Sequence, residues 1–151
     1  MVTMLFSKHW FALTSGFILV LSTIANAQTL SGRPALQGYD PVSFYQQGGP
    51  TQGIAKYEAV WNGRLWYFTN LVNQVRFQSA PAEFAPQFMG YCPVEFAAGR
   101  RIPGQPKVFE IYEDKLYVFS DRSALLLWQR GRSVMQSRAY NRWLKQESES
   151  P

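Results

Sequence analysis

The stretch that decides the fold reads RLWYFTN at positions 64–70, and it recurs 51 positions later as KLYVFSD at 115–121. An apolar, aromatic-rich run precedes each copy, and the dipeptides that join run and copy are Asn62-Gly63 and Glu113-Asp114. Asn-Gly favours the type I′ turn of a tight β-hairpin, because both central residues of that turn have a positive φ. The aromatic and β-branched content is typical of strands. The sequence therefore predicts two β-hairpins.

A helix is expected after each hairpin, because Asn70 and Asp121 are residue types that cap helix N-termini. The first predicted helix covers 71–80 and ends before a proline, and the second covers 123–130. A further amphipathic helix is predicted from about 132 to 146. Two hairpin–helix units in tandem predict an α+β domain, in which helices pack on antiparallel sheet.

Residues 1–27 have the pattern of a Sec-type signal peptide. Lys8 precedes an apolar stretch at 10–24, and Ala25-Asn26-Ala27 is a small-x-small cleavage sequence. The stretch is shorter than the roughly 20 residues of a membrane span; an uncleaved N-terminal anchor is the alternative interpretation. We therefore expect a periplasmic or secreted protein that begins at Gln28 and has no transmembrane segment after cleavage.

The mature chain is expected to hold one domain at 35–146, with a short linker at 28–34 and a polar tail at 147–151. The whole sequence is 46% hydrophobic and 16% aromatic, which is enough to bury a core without disulfides. Its net charge of +5 is modest. Modest charge and expected export together argue against nucleic acid as a partner.

The sequence lacks the residue patterns on which enzyme active sites usually rely. The one histidine, His9, lies in the predicted signal peptide, so the mature chain has no imidazole for Ser-His-Asp or Cys-His chemistry. The carboxylates show no spacing typical of an acid–base pair, and no glycine-rich phosphate loop is present. We predict that the protein is not an enzyme.

Several short motifs follow one another in a fixed order. They read GYDPV at 38–42, WYF at 66–68, FAPQ at 84–87, GYC at 90–92 and PG at 103–104. Because it has these motifs in this order, the chain resembles the YHS-domain family, in its secreted bacterial branch, over about residues 35–144. The resemblance implies a small α+β domain associated with metal binding, since relatives accompany copper and heavy-metal transport proteins. Those relatives have cysteines where this chain has Ser43 and Thr69, so that ligand pair does not carry over.

The single cysteine, Cys92, is the basis of the first functional hypothesis. A lone thiol in an oxidising compartment is buried, is a ligand, or pairs with an external thiol. Cys92 and Met89 lie three residues apart and supply thiolate and thioether donors, which suit a soft metal ion such as Cu(I). The competing interpretation is structural, because free cysteine is among the most buried residue types.

The second hypothesis is a noncatalytic module that binds a small ligand or a protein of the cell envelope. Tyr39, Asp40 and Tyr91 would form a polar rim, and Arg100 and Arg101 would attract an acidic group. Against this, Asp40 precedes a proline and is also suited to capping a turn. The sequence identifies no ligand and no oligomeric state.

The soft-metal hypothesis predicts that protein purified from its native compartment contains copper and that the Cys92→Ala variant does not. Elemental analysis of the two proteins measures this directly. Equal copper in both, or none in either, would contradict the hypothesis.

Overall fold

The computed structural model describes residues 32–148, so the predicted signal peptide, most of the predicted linker and part of the predicted tail lie outside the described residues. Within this range the chain forms four strands, five α-helices and three 3-10 helices. The strands are β1 (Ile54–Trp61), β2 (Arg64–Phe68), β3 (Gln105–Tyr112) and β4 (Lys115–Phe119). The α-helices are α1 (Leu71–Ser79), α2 (Pro81–Phe84), α3 (Pro93–Ala97), α4 (Arg122–Gln129) and α5 (Arg132–Ser148). The 3-10 helices are Ala35–Gly38, Pro41–Tyr45 and Gln87–Gly90.

The predicted α+β class is confirmed. β1 pairs antiparallel with β2 and β3 pairs antiparallel with β4, which gives two separate two-stranded sheets in this part of the chain. Both hairpins turn at the predicted dipeptides, with φ of 49° at Asn62 and 67° at Gly63. Glu113 and Asp114 also have positive φ, of 49° and 55°. The second hairpin therefore makes the left-handed turn without a glycine.

The predicted helix caps are also present. The side chain of Asn70 accepts a hydrogen bond from Asn73 N at 2.9 Å, and that of Asp121 accepts one from Ala124 N at the same distance. α1 ends and α4 begins within one residue of the predicted positions, and α5 continues two residues beyond its predicted end, to Ser148.

Between residues 32 and 148, no helix combines the length and the apolar character that spanning a bilayer requires.

The internal repeat extends further than the hairpin–helix units. The 3-10 segments Ala35–Gly38 and Gln87–Gly90, here called the first and second left-handed turns, each contain two consecutive non-glycine residues with φ between 50° and 55°. The first turn leads into GYDPV at 38–42 and the second into GYCPV at 90–94. The domain thus contains two copies of one unit, 35–79 and 87–129, each with a left-handed turn, a hairpin and a helix, and α5 follows the second copy.

Matching contacts hold each left-handed turn against its own hairpin. Gly53 N donates to Gly38 O at 2.9 Å, and Gly104 N donates to Gly90 O at 2.8 Å. At both Gly53 and Gly104, a Cβ atom would lie 2.6 Å from a backbone carbonyl carbon of β2 or β4. Only glycine allows this close approach, so these two positions set how near the turn comes to the sheet.

Two clusters of buried side chains form the core; the first is built mainly from the first unit but includes Leu116 and Val118 of β4, and the second includes Ala139 of α5. In the first, Phe77 of α1 packs on Trp66 of β2 with ring centroids 5.1 Å apart. In the second, Trp128 of α4 packs on Tyr117 of β4 at 4.7 Å. Phe77 and Trp128 lie 51 positions apart and are both fully buried, so they hold the same place in the two units.

A fully buried carboxylate, Asp40, connects the segments of the first unit. Its Oδ1 accepts a hydrogen bond from Val42 N at 2.9 Å and caps the 3-10 helix Pro41–Tyr45. Its Oδ2 accepts from the N–H and hydroxyl of Thr69, at 2.9 and 2.8 Å, and from the Asn73 amide at 2.6 Å. These four neutral donors satisfy the buried group and fix the loop, the end of β2 and α1 relative to one another.

Asp40→Ala should lower the free energy of unfolding by about 3 kcal/mol or more, because it leaves several buried donors without an acceptor. The matched control is Asp121→Ala, which removes an exposed helix cap and should cost about 1 kcal/mol. Urea denaturation followed by circular dichroism measures both. Equal losses in the two variants would contradict the role assigned to Asp40.

Candidate functional site

A cleft of about 490 Å³ lies where the two left-handed turns and α5 come together. The first turn contributes Leu36 and Gln37, the second contributes Met89 and Gly90, and α5 contributes Trp143. The volume falls in the range of roughly 300–1,000 Å³ that is usual for small-molecule sites. Since both units line the cleft, neither unit alone would form it.

Three arginine side chains line the cleft. Arg64 Nη1, at the start of β2, donates to Met89 O at 2.7 Å. Arg101, in the loop after α3, donates to Gln146 Oε1 at 3.2 Å from Nε and at 2.7 Å from Nη2. Arg33 makes no side-chain hydrogen bond or ion pair with any residue between 32 and 148. No carboxylate of the described residues lines the cleft, so its positive charge has no counter-ion there.

The hydrogen bonds of Arg64 and Arg101 restrain their guanidinium groups without using all of their donors. A guanidinium carries five N–H donors, and these contacts occupy one on Arg64 and two on Arg101. The remaining donors are available to an oxygen-rich group that enters the cleft. A planar fork of this kind matches a carboxylate or phosphate in geometry as well as in charge.

Two aromatic side chains, Tyr91 and Trp143, form the aromatic wall of the cleft. Trp143 packs on Phe96 and Phe88, with ring centroids 5.6 and 6.2 Å apart. Tyr91 stacks on Phe96 at 6.3 Å with an interplanar angle of 29°. The core of the second unit therefore supports both rings from behind and holds their orientation.

The two sulfur atoms of the soft-metal hypothesis have different surroundings. Met89 Sδ accepts a hydrogen bond from Asn62 Nδ2 at 3.2 Å, beside the cleft. Cys92 is fully buried in the second core, and its Sγ accepts from the Ser120 hydroxyl at 3.6 Å. Within 32–148, no group of three or more His, Cys, Asp or Glu side chains could hold a metal ion. Copper binding by this pair stays a prediction, and the burial agrees with the structural interpretation of Cys92.

Cys92 is the counterpart of Asp40 in the second unit, and Ser120 is the counterpart of Thr69. Where Asp40 accepts four hydrogen bonds, Cys92 accepts a single long one. Cys92 belongs to a cluster of aliphatic and aromatic side chains, and burial raises the pKa of the Tyr117 hydroxyl in the same cluster above its usual value. The second unit therefore fills this position by apolar packing.

Of the residues named in the second hypothesis, the structure places only two at the cleft. Tyr91 and Arg101 line the cleft. Tyr39 packs against the first core, and Asp40 lies inside that core instead of on an exposed rim. Arg100 forms a salt bridge with a glutamate of α3, in place of attracting a ligand. The turn-capping interpretation of Asp40 is correct, although the cap uses only one of its two oxygens.

Sequence reasoning missed Arg33, Arg64 and Trp143 as site residues. Arg33 belongs to the segment predicted as a linker, and Trp143 to a helix predicted from its apolar face alone. The available signal was the recurrence of Gly-Tyr-x-Pro-Val, at 38–42 and 90–94, which marks two equivalent turns. The residues around those turns are the ones that line the cleft.

A scan against protein-family models finds no match to this chain, and searches of curated proteins and of solved structures find none either. The YHS resemblance therefore stays a prediction from sequence, and function is argued from the geometry of the cleft.

Cys92 should be unreactive toward an aromatic disulfide reagent in the folded protein, because its side chain has no exposed surface. It should react fully once the protein is unfolded in guanidinium chloride. The control is Ser123→Cys, which places a second thiol at an exposed position of α4 and should react at once. Rapid labelling of Cys92 in the folded wild-type protein would show that the thiol is accessible after all.

Proposed function

We propose that the protein is a noncatalytic binding module whose cleft takes a small anionic ligand. The observation that carries this proposal is the convergence of three arginines on one cleft that no described carboxylate lines. Given the expected export of the chain, the ligand would be a small acid in the periplasm or outside the cell. The proposal keeps the function of the second hypothesis from the sequence, but it places the binding site in the cleft and not at the predicted polar rim.

Electrostatics favours an anion in this position. Elsewhere in the described part of the chain, exposed Arg100 forms a salt bridge with Glu95, and half-buried Arg132 forms one with Glu110. The cleft arginines instead bond to neutral oxygens or to nothing. Positive groups gathered around one concave surface repel one another, and a bound anion relieves that repulsion.

The lining favours binding over catalysis. Apart from the three arginines, Tyr91 is the only ionisable side chain among the described lining residues. A guanidinium stays protonated at physiological pH and serves as a hydrogen-bond donor, not as a general base. The proposal does not depend on the YHS resemblance, because it rests on the cleft itself.

Isothermal titration calorimetry with inorganic phosphate, acetate and citrate tests the proposal. We expect the wild-type protein to bind at least one of these anions, with an affinity that falls as salt concentration rises. Arg33→Gln should weaken binding about tenfold, because it removes a charge-assisted donor.

The matched control is Arg138→Gln, which removes the same charge from an exposed position of α5 outside the cleft. It should leave the affinity within about twofold of wild type, since an exposed charge is largely screened. If no small anion binds, or if Arg33→Gln and Arg138→Gln weaken binding equally, the proposed function is wrong.

A further inference from the structure

The cleft has more apolar surface and more volume than an inorganic anion would use. Its apolar and aromatic lining residues are Pro34, Leu36, Met89, Tyr91, Pro103 and Trp143. A water molecule takes about 30 Å³ of liquid volume, so an ion of a few atoms would leave most of the 490 Å³ to solvent. A ligand that fills the cleft therefore needs an apolar body in addition to its charge.

The shape of that body follows from the aromatic wall. Phe96 and Phe88 stack at 5.8 Å with an interplanar angle of 15°, and both are buried. Tyr91 and Trp143 pack on this pair, are themselves only partly buried, and both line the cleft. Rings that are already held in place lose little freedom on binding, and they favour a flat partner that can stack.

One of the cationic groups is held close to the aromatic wall. Arg101 is bonded to Gln146, which follows Trp143 by three residues on α5. Residues three apart on a helix are neighbours on its surface. One guanidinium and one aromatic wall residue are thus held by the same face of one helix. An anionic group attached directly to a ring could meet both at once.

From these observations we infer that the cleft binds aromatic anions, in which a carboxylate or phosphate is attached to a planar ring. The inference rests on the proposed function, since it names the ligand class of the same site. The ring lies along Trp143 and Tyr91, and the anionic group is held by Arg101 with Arg64 and Arg33. Carboxylate and phosphate share this chemistry, and the choice of probes separates them.

Calorimetric titration with matched probes tests the inference. Benzoate is compared with acetate and with cyclohexanecarboxylate, which is similar in size but not flat, and phenyl phosphate is compared with inorganic phosphate. We expect the aromatic member of at least one series to bind about tenfold more tightly than its non-aromatic partners. The series in which this occurs identifies the anionic group.

Trp143→Leu should abolish the preference for the aromatic probe, whereas Tyr140→Leu, an exposed aromatic on the same helix outside the cleft, should keep it. Trp143 also packs on the core, so circular dichroism must show that the variant folds. If it does not fold, the indole N–H resonance of Trp143 in the wild-type protein replaces the variant. That resonance should shift when benzoate or phenyl phosphate saturates the site.

The two failures can be told apart. If no probe binds, including acetate and phosphate, the proposed function fails and this inference fails with it. If acetate or phosphate binds but the ring adds no affinity, the aromatic inference alone is overturned. Equal binding of benzoate and cyclohexanecarboxylate, with no gain from phenyl phosphate, also overturns it, as does an unshifted Trp143 indole at saturation.

Discussion

The buried carboxylate of Asp40 is the interaction on which the arrangement of the first unit depends. It accepts one hydrogen bond from Val42, two residues later in the sequence. It accepts two from Thr69 and one from Asn73, which lie 29 and 33 residues after Asp40. A buried carboxylate whose two oxygens are both hydrogen-bonded is also intolerant of rearrangement, because any shift leaves donors unpaired. The loop that enters the domain is therefore locked to the hairpin and to α1.

The second unit reaches the same geometry by a different physical means. Cys92 occupies the position of Asp40 but makes one 3.6 Å contact with the Ser120 hydroxyl. Burial of aromatic rings around Trp128, together with Ala139 and Trp143 of α5, stabilises the second unit.

The two left-handed turns have strained backbone, because their non-glycine residues adopt a positive φ at a cost of about 1 kcal/mol or more each. Such strain persists where the surroundings fix it, and here it brings Gln37 and Met89 to the cleft.

The elements of the fold could be predicted because short-range chemistry determines them. Asn62-Gly63 and the capping Asn70 act on their immediate neighbours, and the structure shows both as predicted. The cleft could not be predicted in the same way. Arg33, Arg64 and Trp143 come from a predicted linker, a strand and the last described helix, and only tertiary packing brings them together. The burial of Asp40 was equally hidden, since its partner Asn73 lies in a different element.

The doubling of the unit within one chain has a consequence for how the cleft can be shaped. In a symmetric homodimer, a single substitution at the junction changes both sides at once. When the two copies are joined in one chain, each side can change alone. Arg64 corresponds to Lys115 in the other copy, and Met89 corresponds to Gln37. The two turns therefore present different side chains to the cleft, Gln37 from one and Met89 from the other, an asymmetry that two identical subunits could not encode.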